Sequence, residues 1–268
     1  MNYEALKKQV IKIVKKAAKL TNSKNIKVQQ KDSSVNIVTS ADLAVQEYLC
    51  KQLKKILPDS GFFCEEADLR ESGKEYIWVI DPIDGTTNFY RNIPDYVISV
   101  ALMHNNEVGL GVVYCPSKNQ LFHAVCHKGA FLNDIKIKVS DKTFDEGILC
   151  SAMSLYKKEY AKICDEIIYE AYMQCNDIRR FGSCALELCY LAAGKIDLYF
   201  EIRVFPWDYA AGYLILKEAG GVLKGYHNET LECDKTTVLI GANNEENFKQ
   251  LNDIVDKHLK EIPYERRC

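Results

Sequence analysis

The chain has 268 residues, a formal net charge of −2, 47% hydrophobic and 27% charged side chains. That is an ordinary globular composition, long enough to bury a large core in one domain or two tightly joined halves, with no electrostatic case for binding nucleic acid or a membrane surface. The longest apolar runs, Tyr96 to Met103 among them, are too short to span a bilayer, and the segment after Met1 is Lys-rich without a signal-peptide core, so the expected location is cytoplasmic.

Residues 3–20 carry Leu6, Val10, Ile13 and Ala17 at helical spacing, with Lys7, Lys8, Lys12, Lys15, Lys16 and Lys19 between them. They predict an amphipathic helix whose lysines are a solvated surface or an anion-binding face. Thr39-Ser40-Ala41-Asp42 opens a second helix with Leu43, Leu49, Leu53 and Leu57 on its apolar side and Pro58 at its end. The β-rich runs Gly61–Cys64, Tyr76–Ile80, Tyr96–Met103, Val108–Tyr114 and Leu121–Val125 follow without a helix between them, and Asn105-Asn106 reads as a hairpin turn. A mainly antiparallel sheet is expected there.

From about residue 145 the pattern changes. Gly147–Ser151 reads as a strand, Tyr156–Gln174 and Ser183–Ala193 as helices, and Asp197–Glu201 as a strand. Trp207–Ala219 reads as a helix ended by Gly220-Gly221, then come a strand, Thr236–Gly241, and a final helix, Glu245–Lys260. Two halves, 1–144 and 145–268, sharing one compact body are expected.

The eleven cysteines are scattered with no Cys-x-x-Cys pair. That argues against a zinc site, a dithiol redox motif or a disulfide framework, and for reduced thiols packed as small hydrophobes. His104, His123, His127, His227 and His258 are also scattered, in no spacing that argues for a covalent nucleophile.

Chemistry concentrates where carboxylates stand beside apolar runs. Asp81-Pro82-Ile83-Asp84-Gly85-Thr86-Thr87 directly follows Tyr76-Ile77-Trp78-Val79-Ile80. Two like charges about 4 Å apart repel by roughly 4 kcal/mol at a surface-like dielectric. Protonation relieves that, and at neutral pH so does a hard divalent cation. Pro82 lacks a ladder donor and is expected to end the strand. The turn then aims both carboxylates and the Ile83 carbonyl at one point, Gly85 permits the tight bend, and Thr86-Thr87 offers donors for a phosphate. An ordinary Asp-Gly turn fits the same residues. Glu65-Glu66 ends the run Phe62-Phe63-Cys64 and fits a solvated loop equally well. Asp208 in Pro206-Trp207-Asp208 fits a helix N-terminus, and Asp42, three after Thr39, fits a capping box.

Together these segments resemble the inositol monophosphatase family of metal-dependent, lithium-sensitive phosphatases. The resemblance runs along essentially the whole chain. It rests on Lys31 with Asn36-Ile37-Val38-Thr39-Ser40-Ala41-Asp42, on Glu65-Glu66, and on Trp78-Val79-Ile80-Asp81-Pro82-Ile83-Asp84-Gly85-Thr86-Thr87-Asn88-Phe89. It continues through Arg180-Phe181-Gly182-Ser183, Glu201 and Pro206-Trp207-Asp208-Tyr209-Ala210-Ala211-Gly212. The fold it implies is α/β, a layered α/β/α/β/α sandwich with a largely antiparallel N-terminal sheet, usually paired as a homodimer.

The resemblance also implies roles. Glu65, Asp81 and the Ile83 carbonyl stand as ligands of a first Mg²⁺, and Asp81, Asp84 and Asp208 as ligands of a second, with a third, weaker ion near Glu65. Oxygen-only ligands suit Mg²⁺. Thr86 and Asp42 match the pair that orients and deprotonates the attacking water. Two cations about 3.5–4 Å apart activate water at neutral pH and stabilise the leaving oxygen, and the implied reaction is in-line hydrolysis without a phosphoenzyme.

Asp84, Gly85, Thr86, Gly182, Ser183, Cys184, Glu201, Arg203 and Asp208 are the expected substrate contacts, the substrate being a small phosphorylated polyol or sugar, with inositol monophosphate foremost. Cys64, Ala67 and Cys184 stand where Gly, Ser and Ala are common in the family. Arg203 reads as a second anion contact or as an exposed side chain. Fructose-1,6-bisphosphate, histidinol phosphate, NADP(H), a 3′-phosphonucleotide, or a role as a non-catalytic binding partner are the alternatives.

Overall fold

The computed structural model describes residues 1–22, 27–33, 36–66, 69–71, 73–153 and 157–260, without the side chains of residues 30–33 and 36. Helix α1 (Tyr3–Ala17) starts at Asn2, whose side chain accepts from the Ala5 amide, and buries the stripe Leu6, Val10, Val14 and Ala17. A hairpin of β1 (Val28–Ser33) and β2 (Asn36–Thr39) leads into α2 (Ser40–Ile56). Thr39 and Asp42 form the expected capping box there. The buried line of α2 runs through Val45, Leu49 and Leu53. Leu43 falls off that line and is 45% exposed, against expectation.

The first sheet takes β3 (Gly61–Cys64), β4 (Tyr76–Asp84), β5 (Val97–His104), β6 (Glu107–Cys115), β7 (Gln120–Val125), β8 (Ala130–Leu132) and β9 (Ile135–Ile137) in chain order. Only the β3–β4 pair is parallel; the others are antiparallel, as expected. Asn105 and Asn106 have φ of 49° and 66°, the left-handed pair that a two-residue hairpin turn requires. A short helix, α3 (Thr86–Tyr90), interrupts the run of strands between β4 and β5, where no helix was expected. Five residues are too few to show a helical period.

The second sheet has the order β11-β10-β12-β14-β13, from β10 (Ile148–Ala152), β11 (Asp177–Arg179), β12 (Leu198–Val204), β13 (Val222–Lys224) and β14 (Thr237–Ala242). Its helices are α4 (Ala161–Tyr172), α5 (Cys184–Ala192), α6 (Pro206–Glu218) and α7 (Glu245–Leu259). Helix α4 is shorter than the expected 156–174, and residue 156 lies outside the described residues.

Strand alternation sorts side chains into three cores. Trp78 and Ile80 of β4 face α1 and α2, while Val79 faces α5 and α6. On β12, Tyr199 joins that same middle core, and Leu198, Phe200 and Ile202 pack under α4 and α7. The layers are therefore helices, sheet, helices, sheet, helices. Helix α6 is covered on both sides, which is why it reads as mostly apolar rather than amphipathic. All described cysteines are free thiols, with Cys50 Sγ and Cys64 Sγ 3.8 Å apart. Among the described residues no helix is long and apolar enough to cross a membrane.

Candidate active site

Strand β4 does not stop at Pro82. It runs on to Asp84, with Asp81 opposite Ser99 and Asp84 opposite Val97, so one extra residue is looped out. Pro82 sits in that bulge, where its missing N–H leaves no ladder bond unmade. The bulge is what turns Asp81 and Asp84 toward one place. Asp81 Oδ1 accepts the Ile83 amide at 2.9 Å and so stabilises the bend. Gly85 follows with φ 89°, and a Cβ there would stand 3.0 Å from the Asp95 carbonyl, so both conformation and space call for glycine.

Asp208 arrives from the first turn of α6, across the middle layer. Its Oδ2 accepts the Phe205 amide at 3.0 Å, the helix-start role its sequence position suggested. One oxygen each from Asp81, Asp84 and Asp208 lies within 4.8 Å of the others. Asp81 and Asp84 are buried, and among the described residues none of the three has a basic partner at salt-bridge distance. Asp84 Oδ2 instead accepts from Ser183 Oγ and from the Ala185 amide, each at 2.7 Å.

Burial, and then neighbouring carboxylates, push the Asp81 and Asp208 carboxyls well above the usual range. Burial raises Asp84 to about 7 against the opposing bonds from Ser183 and Ala185. Such crowding is what a site for hard cations looks like before its cations are counted: an all-oxygen donor set with, among the described residues, no basic side chain at salt-bridge distance.

The three acids open on a cavity of about 340 Å³. Glu65, Ile83, Gly85, Thr86, Gly182, Ser183, Cys184, Glu201 and Arg203 also line it, so it gathers almost every residue singled out from the sequence. Two stand apart. Asp42 lies behind the wall, fully buried, with Oδ1 3.4 Å from Thr86 Oγ1 and Oδ2 accepting from the Thr39 amide and hydroxyl. Burial raises it to about 6 despite those bonds. The side chain of Lys31 lies outside the described residues, as does Ala67.

The family model described as "Inositol monophosphatase family" matches residues 1–260. The chain belongs to the inositol monophosphatase family. The Nus factor SuhB of Escherichia coli K12 is 37% identical over 211 residues, 77% of this chain and 79% of that protein. Among solved structures, an IMPase of Thermotoga maritima superposes with a TM-score of 0.82 at 30% identity, covering 95% of this chain and 99% of that one. An inositol monophosphatase from Anabaena superposes with a TM-score of 0.80 at 27% identity, covering 98% of each.

Ala152 and Glu187 line this family member's cavity without having been picked out from the sequence. Glu187, on α5, is buried, and its Oε1 accepts the amides of Phe181 at 2.7 Å and Gly182 at 2.8 Å. It holds the loop that carries Gly182 and Ser183 against the cavity. Burial raises it to about 7. Its signal was present: it is the one charged residue in the otherwise apolar Cys184–Ala192 helix.

A second cluster, Cys126, His127 and Glu218, also brings its ligand-type atoms within 4.8 Å of one another. Its chemistry differs. Both Glu218 oxygens accept backbone amides, of His127 and Gly129, at 2.7 Å, and Lys128, Lys136 and Lys217 surround it. Glu218 clamps a turn there, in surroundings that repel a cation.

Proposed function

We propose that this chain is a Mg²⁺-dependent phosphatase that hydrolyses a small phosphate monoester. The observation that carries the reading is the convergence of buried Asp81 and Asp84 with Asp208 within 4.8 Å, without a basic partner among the described residues, on the floor of a substrate-sized cavity. Glu65, Asp81, the Ile83 carbonyl, Asp84 and Asp208 would hold the cations. When bound, these supply electrostatic stabilisation to the phosphoryl oxygens and make water more acidic.

The chain's own groups supply the rest. Thr86 Oγ1 lies 3.1 Å from the Ile83 carbonyl and 3.4 Å from Asp42 Oδ1. Its hydroxyl proton is committed to one of these acceptors, so its lone pair is left to accept from a water in the cavity. That water attacks phosphorus in line with the ester bond. Its proton passes to Thr86 Oγ1 as the Thr86 proton passes to Asp42. A carboxyl near 6 is a suitable acceptor at neutral pH. The P–O ester bond breaks, and the alcohol leaves with a proton from solvent. Glu201, on the cavity wall, faces the alcohol part, and its carboxylate accepts from Tyr199 Oη at 2.6 Å.

Phosphate release from a panel of small esters, with and without Mg²⁺, tests this; no Mg²⁺-dependent release from any ester overturns it. The relatives named Nus factor SuhB support a different role, in which the chain works by binding a macromolecular partner. Capture of such a partner together with absent turnover would favour that role.

A further inference from the structure

The cavity contains cations as well as acids. Arg180, from the loop before α5, and Arg203, from β12, both line it. Among the described residues neither guanidinium reaches a carboxylate at salt-bridge distance. Arg180 is near enough to favour the ionised form of Glu201, but that carboxylate bonds to Tyr199. Arg203 is half-buried and rests over the Phe205 ring, 4.6 Å from its centroid.

Among the described residues, Arg203 lines an acidic cavity partly out of water, packed on that ring and without an acidic partner. Its five donors remain available. Arginine's planar fork is suited to bidentate recognition of a phosphate or carboxylate.

The cavity lining sets where such an anion would lie. Glu201 and Arg203 are two residues apart on β12, whose pairing with β14 shifts register between Glu201 and Val204, and both line the cavity. A polyol held there can meet Glu201 and Arg203 together with the acid cluster. The aromatic neighbours also restrict the ligand. Phe205 stacks on Trp207 with centroids 4.9 Å apart and planes 4° apart, and Arg203 covers it as well. A nucleobase has no open face of Phe205 to stack on.

We infer that Arg203, with Arg180, forms a second anion subsite, and that the preferred substrate is a small polyol or sugar bisphosphate. One phosphate is hydrolysed at the acid cluster while the other is held by the two arginines. This rests on the phosphatase reading above and narrows it.

The test compares matched pairs, inositol 1-phosphate with inositol 1,4-bisphosphate and glucose 1-phosphate with glucose 1,6-bisphosphate, on wild type, Arg203→Ala, Arg203→Lys and Arg180→Ala. The wild type is expected to favour a bisphosphate in kcat/KM by about tenfold or more, as a charge-assisted contact allows. In Arg203→Ala that ratio collapses toward one, mainly through KM. Arg203→Lys, which keeps the charge but loses the fork, falls between, and Arg180→Ala lowers the ratio less. A wild type that prefers the monophosphates, or a ratio unmoved by Arg203→Ala and Arg203→Lys, overturns the subsite. Calorimetric binding of the same pairs, with Ca²⁺ in place of Mg²⁺, separates the two claims. Absent turnover with tighter bisphosphate binding, lost in Arg203→Ala, sinks hydrolysis but keeps the subsite. Equal affinity for both members of each pair sinks the subsite.

Discussion

Ser183 Oγ and Asp84 Oδ2 are 2.7 Å apart, a hydrogen bond that spans 99 positions of sequence and ties α5 to the end of β4. The same hydroxyl accepts the Leu186 amide at 3.4 Å and so caps α5. One side chain therefore starts a helix and fixes the direction of an acid in the cavity.

Ser183→Ala removes both bonds. Loss of a helix cap costs about 1 kcal/mol, and Asp84 keeps only the Ala185 amide. The expected result is a modest fall in melting temperature with a several-fold rise in the Mg²⁺ concentration that half-saturates phosphate release. An unchanged Mg²⁺ requirement would show that Ser183 serves the helix alone.

Asp84→Asn keeps the shape and can still accept from Ser183 and Ala185, but it removes a charge. Phosphate release should fall by about 100-fold or more, the scale seen when a preorganised electrostatic group is lost. Without Mg²⁺ at pH 8 the variant should melt no lower than wild type, because a buried like charge has gone. Full activity in the variant would refute the metal-ligand role of Asp84.

The thermal stability of the cation-free protein should fall as pH rises from 5 to 8. Asp42 is raised to about 6, and Asp84, Glu187 and Glu201 to about 7, all chiefly by burial. The folded state then binds more protons than the unfolded chain, whose ordinary values are 3.8 for Asp and 4.5 for Glu. Their stabilising protonation is complete below those values and is lost as pH passes 6 to 7. Mg²⁺ favours the ionised acids, so the gain in melting temperature on adding it should grow with pH. Melts in a pH series with EDTA or Mg²⁺ measure both; a cation-free protein that gains stability from pH 5 to 8 contradicts the account.

Much of this was legible because it is local. Thr39 and Asp42 are within one helical turn, and Asp81 through Thr86 is one continuous strip, so spacing and residue type sufficed. What was illegible depends on partners far away. Nothing around Pro82 says that β5 will pair on both sides of it and draw the strand on to Asp84. Ser183 looked like a plain helix cap until Asp84, 99 positions away, was placed against its hydroxyl. The short strands β8, β9, β11 and β13 have three residues each, too few for an alternating pattern to show.

Gly111→Ala should damage activity from inside the core. A Cβ at Gly111 would lie 2.8 Å from the Ala211 carbonyl oxygen and 3.2 Å from its Cα, both backbone atoms of α6. The helix must move away from β6, and Asp208 sits on its first turn. Overpacking of this kind costs about 1–3 kcal/mol. The expected outcome is a lower melting temperature together with a higher Mg²⁺ requirement; a stability loss with normal Mg²⁺ dependence would show that the shift does not reach Asp208.

The middle layer also has a consequence for how the protein is made. Val79, Ala101, Val113 and Phe122 of the first sheet are covered by α5 and α6, whose residues begin only at Cys184. During synthesis the first sheet leaves the ribosome with a wide apolar face and nothing yet to cover it. Residues 1–144 expressed alone should therefore aggregate. Only after α6 docks do Asp208 and the β4 acids meet, so cation affinity marks a chain that has finished folding.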